Sequence, residues 1–499
     1  MNFYFVLEDA ANQWPDDVAV IQGDQCWRFS ELLGAAEFLA ARLTDAGIAA
    51  WDKVGLLCPS GPQYIVGFFA ILRIRGVVVP ISPALKAAEV ADVTKDIGLK
   101  ALCYSPSFEN FFQSSPWKAP LEASMGPNRA PLRIRPVEKW PDDPGEHEGL
   151  ERLNAASIRF SSGTTSDAKG IILSHESIQE RGQSHVGAGP IKKKDTVLWL
   201  QTTARGLPGV ICGCLMQGAK LIFGDALATG AMRRLIKEHG VTQIYATPIF
   251  YQALLNEPDM TSDDLRNVEQ LSTAGSAVGM TLAQAFAAKF GRGILQHYGS
   301  AETGEVFLNH DEDETKRGSV GRIARPDYEV QLVPVTGEMA AEEFVGEIWV
   351  RSPALFAGYH KPWRPIGEIL QGGWFRTGDL ARRDRDGYYW IIGRIKEVIN
   401  VGGVKVFPAE IEEALLTHPA VDEAMVYGAP EPRFGEVPHA KIKLRNGVAC
   451  EALDVLRYVN KQISVFKALR AVEFVDEIPK TVTGKARRWA LEGRGPRAG

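Results

Sequence analysis

Apolar positions along the chain fall into two alternating spacings. In FSELLGAAEFLAARLTDAG, from Phe29, they recur every three or four residues and stop at Gly47, which predicts an amphipathic helix closed by a glycine. KVGLLCP, from Lys53, follows as a short unbroken apolar run, the pattern of a strand covered on both faces. The same alternation of strand and helix returns around KALCYS, AKLIFGD and VTQIYATP. Repeated units of this kind predict a large α/β domain with a substantially parallel sheet. The longest apolar stretch, YIVGFFAILRIRGVVVPI from Tyr64, is interrupted by Arg73, Arg75 and Gly76, and predicts a buried helix and strand instead of a membrane span.

Between Ser114 and Gly149 proline and charge dominate, and this segment is expected to be a surface excursion. After about Tyr328 the period shortens: YEVQLVPV, GEIWVRS and LARRDRDGYYWIIGR predict short strands, with Asp386-Gly387 as a hairpin turn. Past Arg394 a compact α/β unit is expected, in which Pro408 opens the helix AEIEEALLTH, EALDVLRYVNKQI forms a second helix and AVEFVDEI a closing strand. The expected architecture is thus α/β: a large N-terminal domain with mainly parallel sheets and a small β-rich subdomain, residues 1–394, then a small α/β domain, residues 395–499.

Composition narrows the function. At 499 residues and 45% apolar content the chain can bury a large core, and a formal net charge of −5 offers no general attraction to nucleic acid or anionic membranes. The six cysteines are dispersed and mostly lie in apolar runs, as free thiols do in reducing compartments. Cys212 and Cys214 are close together but have no second Cys or His pair at ligand spacing nearby, which argues against a metal site there. The start, MNFYFVLEDAANQW, lacks a basic segment followed by a long apolar one, so no secretory signal is expected and the expected location is cytoplasmic.

The first sign of chemistry is SSGTTSDAKG, Ser161 to Gly170, between two short apolar strands. Hydroxyls and backbone amides of small residues can surround phosphate oxygens, and Lys169 adds a mobile positive charge. The loop is not a P-loop, which requires Gly before the Lys and Ser or Thr after it, where this chain has Ala168 and Gly170. Taken alone, it reads equally well as a polar hairpin.

Four further segments change that balance: QHYGSAETGE from Gln296, GGWFRTGDLARRD from Gly372, GRIKEVINVGGVKVFPAEIEE from Gly393 and PKTVTGKARR from Pro479. In order and spacing, and across nearly the whole chain, the five segments resemble the motifs of the adenylate-forming superfamily. That superfamily holds acyl-CoA and aryl-CoA ligases, stand-alone adenylation enzymes and firefly luciferase. The resemblance implies that a carboxylic acid attacks the α-phosphorus of ATP to give an acyl-adenylate, and that a thiol of coenzyme A or of a carrier protein then displaces AMP.

It also implies roles. Ser161, Ser162, Gly163, Thr164, Thr165 and Lys169 would hold ATP phosphates, Ser276, Ala277 and Tyr298 the adenine, and Asp379 with Arg394 the ribose. Glu302 would bind Mg²⁺, and Lys485 would bridge the substrate carboxylate and the α-phosphate, where charge develops. Lys396 sits at the expected hinge about which a mobile C-terminal domain turns between the two half-reactions. Read one at a time, Glu302 and Asp379 are equally turn carboxylates and Lys485 a solvated surface charge. The acid is expected against Gly275, Gly299, Tyr245 and Arg205, although Tyr245 is also readable as a core tyrosine and Arg205 as a surface arginine.

The sequence departs from the family pattern. Ser166 stands where the loop usually has Gly, Ala168 where it has Pro, and Ala301 where many members have Thr before the Glu. Ser166 loses glycine's access to positive φ, so slower adenylation is one expectation and a catalytically impaired nucleotide-binding protein the remote one. WLQTTARGLPG, from Trp199, has no acidic residue to hold a substrate ammonium, which favours an acid without an α-amino group, aryl or short-to-medium acyl. Coenzyme A and an acyl carrier protein stay open as acceptors.

Overall fold

In the computed structural model, the described residues are all but 113–116, 127–128, 138–143, 161–169, 187–189, 225–229, 276–277, 311–312, 335–343 and 479–499. Two large mixed sheets carry the N-terminal part. In the first, the strands Val18–Gln22, Lys220–Phe223, Thr196–Leu200, Gln243–Ala246, Gln270–Ala274 and Leu295–Ser300 run parallel in that spatial order. The short Gln25–Arg28 at one edge and Gly304–Leu308 with Arg322–Ile323 at the other pair antiparallel. The second sheet has a parallel centre of Ala155–Phe160, Val77–Pro80, Lys53–Leu57 and Ala101–Tyr104.

The parallel strands are apolar runs because both their faces are covered. Lys53–Leu57 is buried at every residue, and the helix Pro62–Arg73, buried over Tyr64–Leu72, packs with Phe29–Asp45 in the core that joins the two sheets. Asp386-Gly387 forms the predicted turn, with Gly387 at φ 83°, between Phe375–Arg383 and Tyr389–Arg394 in a four-stranded antiparallel sheet. From Ile399 a separate core gathers the helices Pro408–Leu416 and Ala452–Asn460 on a sheet that includes Val421–Glu431, Gly435–Leu444 and Ala471–Phe474.

One expectation is corrected. The segment from Ser114 to Gly149 is more than a surface excursion: Leu121–Ala123 and Leu132–Pro136 extend the edge of the second sheet, and Pro144–Arg152 is helical. Leu132 and Ile134, two residues apart, are fully buried on one face, and this alternation outweighs the prolines on either side.

The loop containing Arg205 also differs from ordinary helix. Thr203–Gly206 leads into a π-type widened turn, Leu207–Ile211, with Pro208 at ψ 15°, before Cys212–Gln217 resumes α geometry. Widened turns of this kind collect at functional sites because they re-aim side chains.

Candidate active site

The carboxyl ends of the first sheet's parallel strands converge on one region, where open α/β sheets place their ligand sites. Leu295–Ser300 brings Tyr298 and Gly299 there and ends in a turn that carries Glu302. Gly299 lies against Glu305 on the antiparallel neighbour so closely that a Cβ would stand 2.2 Å from the Gly304 carbonyl oxygen; only glycine fits. Gly275, at φ 85° after Gln270–Ala274, is equally constrained, since a Cβ would stand 1.7 Å from Nη2 of Arg205. Arg205 and Gly275 are therefore neighbours across the site.

The turn holding Glu302 is fixed from beneath. Arg181, 4% exposed on the helix His175–Gln183, donates from Nη1 to the Ala301 carbonyl (3.0 Å), from Nη2 to the Glu302 carbonyl (2.9 Å) and from Nε to the Ala354 carbonyl (2.9 Å). Burial, with Arg159 adding to it, pulls the Arg181 pKa down to about 9, still cationic near neutral pH. The Phe356 amide also donates to the Glu302 carbonyl, at 2.7 Å. The side chain is left comparatively free: the Tyr359 hydroxyl reaches Oε1 at 3.3 Å, and among the described residues Glu302 makes no ion pair. A carboxylate held on a clamped backbone suits a hard cation.

Asp379 and Arg394 face each other in register on the hairpin and pair at 2.8 Å between Oδ1 and Nε. Asp379 is 6% exposed, and its Oδ2 accepts the Tyr298 hydroxyl at 2.6 Å. Burial, reinforced by the Asp379 charge, drives the Tyr298 pKa well above that of a free phenol, so Tyr298 stays a donor. Its ring lies 5.6 Å from that of Phe307. Each Asp379 oxygen keeps unused lone-pair capacity, which fits a pair of vicinal hydroxyls.

Tyr245 belongs to a buried polar cluster. Its ring lies 6.0 Å from Trp199, 6.2 Å from His297 and 6.4 Å from His185. His185 Nε2 pairs with Glu305 Oε2 at 2.7 Å. Burial pushes the Glu305 pKa up, but His185, His297 and Arg205 outweigh it and hold the carboxyl at about 2, ionised. Burial is also the main influence on His297, pulling it down to about 3, hence neutral. The Arg205 guanidinium is lowered by burial and supported by the Glu305 charge.

Of the residues expected from sequence, Tyr245, Arg205, Gly275, Gly299, Tyr298, Glu302, Asp379 and Arg394 come together in this region. Lys396 follows on the short turn Ile395–Glu397, exposed. Ser161, Ser162, Gly163, Thr164, Thr165, Lys169, Ser276, Ala277 and Lys485, with the departures Ser166 and Ala168, lie outside the described residues. The sequence reading missed Arg181, His185, His297 and Glu305. It also missed Arg159, half-buried at the end of Ala155–Phe160, whose pKa burial lowers while Tyr64 and Glu302 support its charge.

Comparison with known proteins places this geometry. The family model of the AMP-binding enzyme matches residues 7–360, and that of the AMP-binding enzyme C-terminal domain matches residues 410–485. The chain belongs to the AMP-binding enzyme family. YdaB of Bacillus subtilis (strain 168) is 30% identical over 98% of this chain and 98% of its own, and a feruloyl-CoA synthase of Amycolatopsis sp is 28% identical over 95% of each. The crystal structure of the anthranilate CoA ligase AuaEII in complex with anthranoyl-AMP superposes with a TM-score of 0.79 at 25% identity, covering 98% of this chain and 96% of that one. As an AMP-binding enzyme the chain is an AMP-forming acid–thiol ligase: it activates a carboxylic acid as acyl-AMP and passes the acyl group to a thiol. Among the described residues no helix is long and apolar enough to cross a membrane.

Proposed function

We propose that this AMP-binding enzyme converts an aryl or short-to-medium acyl acid to its coenzyme A thioester, with AMP and pyrophosphate as the other products. One observation carries the reading: Arg205 packed on Gly275 and Glu305 across from Gly299 border one region beside the Tyr298–Asp379–Arg394 group. Strand ends and a widened turn build it, so the acid is positioned by backbone that has little freedom to move. The absence of an acidic residue from Trp199 to Gly209 also stands against an α-amino acid. The names of the relatives, a feruloyl-CoA synthase and an anthranilate CoA ligase, point the same way.

In this reading Asp379 and Arg394 hold the ribose, Tyr298 lies along the adenine, and the loop from Ser161 to Lys169 with Ser276 and Ala277 completes the ATP site. Glu302 would hold Mg²⁺, which when bound would neutralise phosphate charge. Arg181 keeps the Glu302 backbone in place while the phosphates shift. Residues 1–394 form the ATP- and acid-binding domain and 395–499 a mobile domain that brings in Lys485 by turning about Lys396. No protein nucleophile is used: positioning and charge stabilisation carry both half-reactions.

The test is product analysis. Purified enzyme with Mg·ATP, coenzyme A and a panel of aryl, fatty and amino acids is expected to give CoA thioester and AMP in equal amounts with aryl or short-to-medium acids. Thioester only on a holo-carrier protein, and none on coenzyme A, would replace this reading with a carrier-loading enzyme. Glu302→Ala is expected to raise the Mg²⁺ concentration for half-maximal rate by about tenfold or more, in line with loss of one charge-assisted contact. An unchanged magnesium titration would remove Glu302 from the site.

A further inference from the structure

The cluster around Tyr245 contains more polar atoms than an apolar acyl pocket needs. Tyr245 is 1% exposed, Trp199 3% and His185 1%, yet among the described residues the Tyr245 hydroxyl, Trp199 Nε1 and His185 Nδ1 have no hydrogen-bond partner. Oε2 of Glu305 is held by His185 Nε2 at 2.7 Å. Buried polar atoms are nearly always paired, and an unpaired one costs free energy, so three in one cluster call for an explanation. They are not scattered. Trp199 and Tyr245 sit opposite each other in register on adjacent parallel strands, His185 meets the Tyr245 ring edge-on, and Glu305 lies 2.7 Å from His185. Glu305 is also directly across from Gly299, and Arg205 is packed on Gly275, so the cluster borders the region assigned above to the acid.

The kinds of unpaired atom narrow what would satisfy them. Trp199 Nε1 can only donate, an ionised Glu305 can only accept, and the Tyr245 hydroxyl can do either. A group that both donates and accepts completes this set. A second carboxylate cannot donate to Glu305, an ammonium cannot accept from Trp199, and a plain alkyl or aryl end leaves the Trp199 and Tyr245 atoms unpaired in a buried place. We infer that the acid this enzyme selects carries a hydroxyl at its far end, received between Glu305, Tyr245 and Trp199, with His185 holding Glu305 in position. The inference rests on the proposed acid-activating reading and adds the chemical class of its substrate.

A site built to bond a substrate hydroxyl rejects the analogue that lacks it far more strongly than an apolar pocket rejects an extra methylene. The experiment compares kcat/KM for pairs of acids that differ by one hydroxyl: benzoate and its monohydroxy derivatives, cinnamate and its ring-hydroxylated derivatives, hexanoate and 6-hydroxyhexanoate. At least one hydroxylated member is expected to exceed its parent by about 30-fold or more. In Glu305→Leu that ratio is expected to fall to about threefold or less, the hydroxylated member losing at least about tenfold more than its parent, with KM for ATP unchanged. Tyr245→Phe, which removes one oxygen and keeps the ring, is expected to lower the ratio several-fold, and serves if the Glu305 variant does not fold.

Parent acids used as well as their hydroxylated partners overturn the inference and leave the acid-activating reading standing. Equal loss on both members of a pair in Glu305→Leu and Tyr245→Phe overturns it too, because that is the signature of a merely structural cluster. Turnover of neither member of any pair overturns both readings.

Discussion

Replacing Lys485 by alanine is expected to lower acid-dependent pyrophosphate exchange by about 10²–10³-fold, the usual effect of removing one group aimed at developing charge. Thioester formation from a preformed acyl-adenylate is expected to stay within about threefold of wild type, because an interaction made only in the first transition state leaves the second untouched. The asymmetry is the informative part. Negative charge accumulates around the α-phosphorus as the acid's carboxylate attacks it, and a lysine ammonium on a mobile domain can be supplied for that step and withdrawn for the next. Half-reaction kinetics on the purified variant check this, and equal loss of both halves would contradict the role given to Lys485.

Asp379→Ala is the second large effect expected. The native carboxylate takes Tyr298 at 2.6 Å and Arg394 at 2.8 Å while almost fully buried. Its removal takes away a ribose acceptor and also leaves the Tyr298 hydroxyl without its partner beside the adenine position. Loss of charge-assisted hydrogen bonds of this type costs about 1.5–3 kcal/mol each, so KM for ATP is expected to rise by about 10–10²-fold. The KM for the acid should move much less. Arg394 loses its partner too, but its side chain is 56% exposed and water can take over, so only a small fall in melting temperature should accompany the kinetic change. A large fall in melting temperature with unchanged KM for ATP would show that Asp379 serves the hairpin and not the nucleotide.

Much of the fold can be read from residue spacing, because in a parallel sheet burial on both faces leaves an uninterrupted apolar run. KVGLLCP and VTQIYATP carry that signal directly. Leu121–Ala123 and Leu132–Pro136 were hidden by the prolines and charges around them, since edge strands tolerate both. In the candidate site, the motif residues could be named because each sits in a short polar segment with an obvious irregularity. Arg181 and His185 could not be found that way. They lie far in sequence from the motif they support and gain meaning only when the helix His175–Gln183 passes beneath the Ala301–Thr303 turn.

A signal was nevertheless present. Along HESIQERGQSH the buried positions His175, Ile178, Arg181 and His185 recur at helical spacing, so charged and polar side chains occupy the face that a soluble helix reserves for its core. A polar residue on such a stripe must find partners inside the protein, and that requirement alone marks Arg181 and His185 for attention.

The most direct test of the whole account is acid-dependent exchange of labelled pyrophosphate into ATP, with the acyl-adenylate detected by mass in the same reactions. The account predicts exchange that depends on Mg²⁺ and on an aryl or short-to-medium acyl acid, with acyl-AMP accumulating when no thiol is supplied. No exchange with any acid across a broad panel, from a folded protein that still binds ATP, would contradict it and would make Ser166 and Ala168 in the phosphate loop the first residues to restore to Gly and Pro.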